Sequence, residues 1–198
     1  MSGRDKGGIM RALLEAVREA FVAVPEAAAF LADWPDGREV REVKPVQLPV
    51  CRWLAGMGDA GVVGAVRAVA LRLQWRQTYG ADDFGADFLA GYGWAEFIGL
   101  RGPVASERLA CGVLLLAPGI IYPAHAHAAA EVYLPISGVA EWQRGAEPFR
   151  PVPVGQAVHH APWTPHAMQV GSEPLAALYL WRGGDLAAKS VILGRQTG

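Results

Sequence analysis

Residues 119–138, GIIYPAHAHAAAEVYLPISG, constrain this chain more than any other stretch of it. Ile120, Ile121, Val132, Leu134 and Ile136 assign the stretch to a core, yet His125, His127 and Glu131 sit among them. Two imidazoles and a carboxylate buried without partners would cost several kcal/mol. The alternative, polar side chains on an exposed strand, does not suit so apolar a run. A shared cation resolves the conflict, because neutral imidazoles and a carboxylate suit divalent Zn, Fe, Mn, Ni or Cu. On a strand, residues two apart point to one face, so His125 and His127 reach one ion together. Glu131 and Tyr133 share that odd-number parity, unless a turn or bulge intervenes over residues 128–130. The chain has five histidines, His125, His127, His159, His160 and His166, and none before position 125. His166, from a later strand, is the expected fourth ligand. His159 and His160 are adjacent, so only one of them can face the interior of a sheet structure.

Composition bounds the rest. At 198 residues the chain has the length of one domain, with room for an appended element. With 52% hydrophobic and 19% charged residues it buries a sizeable core. A net charge of -1 and the lack of a basic run give nucleic-acid binding no electrostatic support. Cys51 and Cys111 do not make a disulfide framework, and Cys111 in CGVLLLAP reads as a small core residue. The charged start of the chain does not read as a signal peptide. No apolar run is long enough to span a membrane. A cytoplasmic location is expected, with no membrane partner.

The first half reads as helical. Ile9, Leu13, Ala16, Val17, Ala20 and Val24 recur at helical spacing, and Pro25 ends that helix and opens a second. Turn residues follow at 33–37. Residues 38–56, with Pro45 and Pro49, are expected to be extended or loop-like. A third helix is expected over 59–78 with Asp59 near its N-cap, and a fourth over about 84–98. Trp53, Trp75 and Trp94 read as core or lid packing, and segment 45–58 as a possible cover for the site. Near residue 100 the character changes to short apolar runs punctuated by Gly, Pro and Ser. Strands are expected near 108–116, 120–125, 130–136, 138–145, 155–160, 166–171, 174–182 and 189–193, which implies a sandwich or barrel. The expected organisation is a helical region, 1–99, packed on a β-barrel, 100–198.

The spacing Gly119-x5-His125-x-His127-x3-Glu131-x6-Gly138 resembles the first metal-binding motif of the cupin superfamily. The second cupin motif survives only as Gly155 and His166. Its proline, second glycine and asparagine are replaced by Ala161, Trp163 and Val170. The resemblance implies a mainly β fold, a double-stranded β-helix or jelly-roll barrel. One divalent transition metal, Zn, Fe, Mn or Ni, would sit inside it, held by His125, His127, Glu131 and His166. Tyr122, Tyr133, EVYLPISGVAEW, HAM at 166–168 and LYLWRGGDL at 178–186 are similar to the cupin-type dimethylsulfoniopropionate lyases. That resemblance implies a β-elimination yielding dimethyl sulfide and acrylate from a sulfonium carboxylate. Tyr133 or Tyr122 would be the general base, and Trp181 with the tyrosines would hold the sulfonium. A homodimer is a further possibility. The competing readings are another cupin metalloenzyme (a dioxygenase or isomerase), a metal-binding cupin sensor, and a sugar-binding or storage cupin.

Overall fold

The computed structural model describes residues 3–36 and 39–194. It opens with helix α1 (Gly3–Val22), a 3-10 turn at Pro25–Ala27 and short helix α2 (Ala28–Leu31). Proline at the start of the 3-10 turn fits its missing N–H. The buried face of α1 is Met10, Leu13, Leu14, Val17 and Phe21, an i, i+3, i+4 stripe. The turn expected over 33–37 follows, with Gly37 outside the described residues.

Between residues 38 and 99 the structure departs from the expected pattern. Residues Pro49–Gly56 form a 3-10 helix, not a loop. The third helix, α3 (Gly61–Val69), is shorter than 59–78, and Ala60 rather than Asp59 occupies its N-cap. A 3-10 turn, Ala70–Arg72, ends it, and β1 (Trp75–Arg76) follows. The helical spacing gives way there because Leu73 and Trp75, two apart, both bury fully, and the Trp75 indole N–H donates to the Ala70 carbonyl at 3.0 Å. The helix expected over 84–98 is only α4 (Ala86–Ala90), after which β2 (Tyr92–Gly99) is a strand. Residues 92–97 carry an alternation that a helix cannot use: Tyr92 and Trp94 face one core, Ala95 and Phe97 the other. Sheet structure therefore begins before residue 100.

All the strands expected after residue 100 form. They are β4 (Leu109–Leu116), β5 (Ile121–Ala126), β6 (Ala130–Ser137), β7 (Ala140–Arg144), β9 (Val158–His160), β10 (His166–Val170), β11 (Leu175–Arg182) and β12 (Val191–Ile192). Two short strands join them, β3 (Val104–Ala105) and β8 (Arg150–Val152). A seven-stranded sheet has the order β1-β2-β4-β11-β6-β9, with β3 beside β2, and a five-stranded sheet the order β12-β5-β10-β7-β8. All but the β2–β3 pair are antiparallel. This is the cupin jelly roll.

The larger sheet is buried on both faces. Its outer face, with Phe97, Val113, Leu115, Val132 and Leu178, packs against Leu13, Val17, Phe21, Leu54 and Val66 of the helical region. Its inner face, with Tyr92, Leu114, Tyr133 and Tyr179, looks toward the smaller sheet. That explains why β4 and β11 read as continuous apolar runs rather than alternating ones. Cys111 is buried in the outer core, and both cysteines are free. The 3-10 helix at 49–56 also packs on this outer side: a Cβ on Gly93 would come within 3.0 Å of Val50. Segment 45–58 thus covers the back of the sheet. No helix among the described residues is long and apolar enough to cross a membrane.

Gly138 turns the chain from β6 into β7 with φ +76, and a Cβ there would fall 2.1 Å from the Pro174 carbonyl oxygen. Gly138→Ala is expected to lower stability by about 1–3 kcal/mol. Urea unfolding followed by circular dichroism checks this, and an unchanged midpoint would refute the strain at this corner.

Candidate metal centre and active-site cavity

The donors meet because the chain changes sheets between them. His125 lies next to last on β5 in the smaller sheet, while Glu131 lies on β6 in the larger one. His127 stands at the corner, where its Nδ1 meets the Ala129 carbonyl at 3.0 Å. Glu131 therefore reaches the histidines from the opposite sheet, not along one strand face. β10 pairs with β5 so that His166 sits opposite His125. The same ladder is irregular between His166 and Met168, which pair with His125 and Tyr122 respectively. That bulge, within Pro123–Ala124, lets Tyr122 and His125 face inward together although they are three residues apart.

His127, Glu131 and His166 are buried, and their donor atoms lie within 4.8 Å of one another. Glu131 Oε2 is 3.1 Å from His127 Nε2 and 3.1 Å from His166 Nε2, the latter without hydrogen-bond geometry. His125 adjoins the trio, its ring centroid 4.1 Å from that of His166, but it is not part of the closest set. Each of the three imidazoles holds a backbone carbonyl at Nδ1: His125 at Pro123, His127 at Ala129 and His166 at Thr164. Nδ1 is thereby the protonated nitrogen and Nε2 presents a lone pair. For His127 and His166, acceptors then flank both nitrogens. Both imidazoles thus aim Nε2 at one carboxylate oxygen, where a shared cation would join all three groups. The donor set fits a divalent metal.

Electrostatics follow from the same geometry. Burial opposes ionisation of Glu131, yet His127 and His166 hold its carboxyl well below the usual range. Burial pushes His125 well below its ordinary value, and His166 adds to this. His160, the inward member of its pair, stacks on His166 with ring centroids 4.1 Å apart and planes at 12°. Burial pushes it down to about 3, and neither of its ring nitrogens has a partner among the described residues. His159 faces the other way, edge-on to Phe30.

Trp181 stands opposite Glu131 in the β6–β11 ladder. Its indole N–H donates to Glu131 Oε1, and its ring lies 4.1 Å from that of His127. Trp181 thus orients the carboxylate so that Oε2 faces the histidines, a role that sequence reasoning did not find because it depends on register. Tyr122 stacks on His125 with centroids 4.1 Å apart and planes at 14°, and its hydroxyl lies 3.3 Å from that of Tyr79. Tyr133 lies 6.4 Å from His166 and 5.0 Å from Trp142, ring to ring. Burial pushes both phenols well above their ordinary value, and Glu131 adds to the shift at Tyr133.

Tyr122, His125, Tyr133 and Trp181 line one cavity of about 250 Å³. Tyr92, Trp94, Glu96 and Tyr179 share its wall, and residues 76–78 and 186–190 lie around it. Of this second group the sequence draws attention only to Trp94, as packing, and to Tyr179 and Leu186 within the 178–186 stretch; it does not single out Tyr92 and Glu96. Its volume suits a small organic ion.

Residues 26–177 match the profile of the dimethylsulfoniopropionate lyase family. The chain is similar to dimethylsulfoniopropionate lyase DddQ of Ruegeria pomeroyi, 35% identical over 174 residues that cover 85% of this chain and 86% of that protein. It is also similar to the protein described as a putative dimethylsulfoniopropionate lyase, DddL, of Cereibacter sphaeroides, at 32% identity over 85% of this chain and 70% of that one. The crystal structure of DddQ from Ruegeria pomeroyi superposes with a TM-score of 0.85 at 32% identity, covering 94% of this chain and 96% of that one. A chain from the crystal structures of the lyases RdDddP and RnDddQII gives 0.83 at 33% identity, covering 96% and 99%.

Trp181→Phe keeps the ring beside His127 and removes the donor to Glu131. It is expected to weaken zinc affinity by about 10–100-fold. Competition against a chelating dye measures this, and unchanged affinity would show that Trp181 does not orient the carboxylate.

Proposed function

We propose that this chain, a lyase belonging to the dimethylsulfoniopropionate lyase family, cleaves dimethylsulfoniopropionate by β-elimination to dimethyl sulfide and acrylate, with a tyrosine as general base. The observation that carries this reading is the shared cavity: Tyr122 and His125 from the smaller sheet and Tyr133 from the larger one line it together, next to the histidine–carboxylate trio. His127, Glu131 and His166 would hold one divalent ion, with His125 as the fourth donor. Zn, Fe, Mn and Ni all suit such a set. When bound, the ion would withdraw charge from a substrate carboxylate and stabilise the enolate-like charge that builds as the α-proton leaves.

The chain's own residues do the rest. Tyr133 follows Glu131 by two on β6, so its phenol enters the barrel on the donor side. Tyr122 has its hydroxyl at Tyr79 and its ring on His125. The base is therefore assigned to Tyr133, with Tyr122 as a wall of the substrate site. Burial keeps both phenols protonated, so a phenolate forms only where positive charge offsets that cost. In the elimination, Tyr133 Oη takes the proton from the carbon next to the carboxylate. The electron pair of that C–H bond becomes the new C=C bond, and the C–S pair leaves with sulfur as neutral dimethyl sulfide. The sulfonium cannot donate a hydrogen bond, so it is held by ring faces, Trp181 and the cavity tyrosines, each contact worth about 0.5–2 kcal/mol.

Protein incubated with dimethylsulfoniopropionate is expected to release dimethyl sulfide into the headspace, and a chelator-treated sample none. Gas chromatography decides it; no dimethyl sulfide above the chelated control would sink the proposal. Tyr133→Phe is expected to lower kcat by about 10²–10⁴-fold with metal content retained, and Tyr122→Phe by less. Initial rates with metal analysis of the same samples check the assignment. A Tyr133→Phe variant with wild-type turnover would move the base elsewhere.

A further inference from the structure

The elimination leaves one buried charged group of the cavity unused. Glu96 is 6% exposed and lines the same cavity as Tyr133 and Trp181. On β2, residues Tyr92 and Trp94 face the barrel interior and Ala95 and Phe97 the outer core, so Glu96 takes an interior position. The registers carry that position across the sheet. Glu96 pairs with Gly112 on β4, Gly112 with Tyr179 on β11, and Tyr179 with Tyr133 on β6. One interior row thus runs from the tyrosine beside the metal donors to a carboxylate. Gly112 adds no side chain to the row. A Cβ there would fall 2.6 Å from Tyr179 Oη, so the phenol lies across the glycine on the way to Glu96.

The partners of this carboxylate are one-sided. Glu96 Oε1 accepts the backbone N–H groups of Arg101 at 2.5 Å and Gly102 at 2.8 Å. Among the described residues no hydrogen bond reaches Oε2 and no Lys or Arg side chain pairs with the carboxylate. Arg76 and Arg101 also line the cavity and their charges act on the carboxylate from a distance, but neither guanidinium pairs with it: Arg76 donates to Gln74 and Arg101 to the Leu186 and Ala187 carbonyls. An anion without an ion-pair partner, beside the rings of Tyr92, Trp94 and Tyr179, is the environment that a permanent onium ion needs. Such a cation offers no N–H or O–H, so ring faces and a carboxylate outside any ion pair are what can recognise it.

We propose that Glu96 and Tyr179 form the subsite for the onium end of the substrate. Through them the cavity selects carboxylates that carry a fixed positive charge over neutral molecules of the same shape. This rests on the lyase reading above and adds to it the residue that sets specificity. The competing account is that Glu96 only pins the turn at 99–102 through its two N–H contacts. Glu96→Gln separates the two, because an amide oxygen still accepts both N–H groups while the charge is gone.

The test is calorimetric titration of zinc-loaded protein with 3-(trimethylammonio)propionate and with 4,4-dimethylpentanoate, which differ only in a cationic nitrogen against a neutral carbon. Wild-type protein is expected to prefer the onium. Glu96→Gln is expected to lose about tenfold or more of its onium affinity and keep its affinity for the neutral acid. Tyr179→Leu, which leaves Glu96 and its turn in place, is expected to shift the two affinities in the same selective way. Equal losses for both ligands, or no change in Glu96→Gln, would make Glu96 a turn clamp alone. Wild-type protein that binds both acids equally overturns the subsite without any variant. Wild-type protein that prefers the onium yet releases no dimethyl sulfide keeps the subsite and overturns the lyase reading.

Discussion

One carboxylate joins the two sheets, and the site depends on it. Glu131 is fully buried, with Trp181 at one oxygen and His127 and His166 at the other. A buried charge held this way is costly unless every lone pair is met. The fold meets them from three directions: a cross-strand neighbour on β11, a corner residue after β5, and a strand of the opposite sheet. Each histidine is fixed in turn by a carbonyl two residues away. The rings arrive with Nδ1 held by the backbone, and those of His127 and His166 turn Nε2 toward the Glu131 carboxylate, so the site is organised before any ligand enters.

The helical region makes this interior possible. The larger sheet needs apolar partners on both faces, and the helices together with the 3-10 segment at 49–56 supply the outer one. The inner face is then left to polar and aromatic groups. All five tyrosines of the chain, Tyr79, Tyr92, Tyr122, Tyr133 and Tyr179, belong to the interior cluster. Burial raises the phenol of every one of them. Low polarity alone therefore cannot distinguish a base from its neighbours. Under the proposed elimination, distance from the histidine–carboxylate trio is what would, and Tyr133 lies one strand repeat after Glu131.

Much of the second half was legible because strands announce themselves locally. Apolar runs between Gly, Pro and Ser located all eight expected strands, and the histidine spacing picked out the residues that the barrel brings together. The region before residue 100 was harder. Residues 92–98 hold enough apolar side chains to pass for a helix, and only a sheet buried on both faces explains why they alternate between two cores. Residues 70–78 left the helix for the same reason, when Leu73 and Trp75 found buried places on β1 and just before it. Trp181 was singled out for its ring, whereas its N–H toward Glu131 follows from a pairing between distant strands. Glu96 drew no notice, since a glutamate between Ala95 and Phe97 reads as surface until β2 is known to lie inside.

By itself, the sequence determined the donor chemistry, the strand periods and the family resemblance, because each is written in residue type and short spacing. Tertiary structure decided which groups face one another. It moved Glu131 to the sheet opposite His125, brought Tyr122 onto His125 through a bulge between them, and aligned Tyr133, Tyr179, Gly112 and Glu96 in one row. The physical reason is that strand register and sheet crossing are settled by packing between segments far apart in the chain, and a one-residue slip would have turned every one of these side chains to the other face.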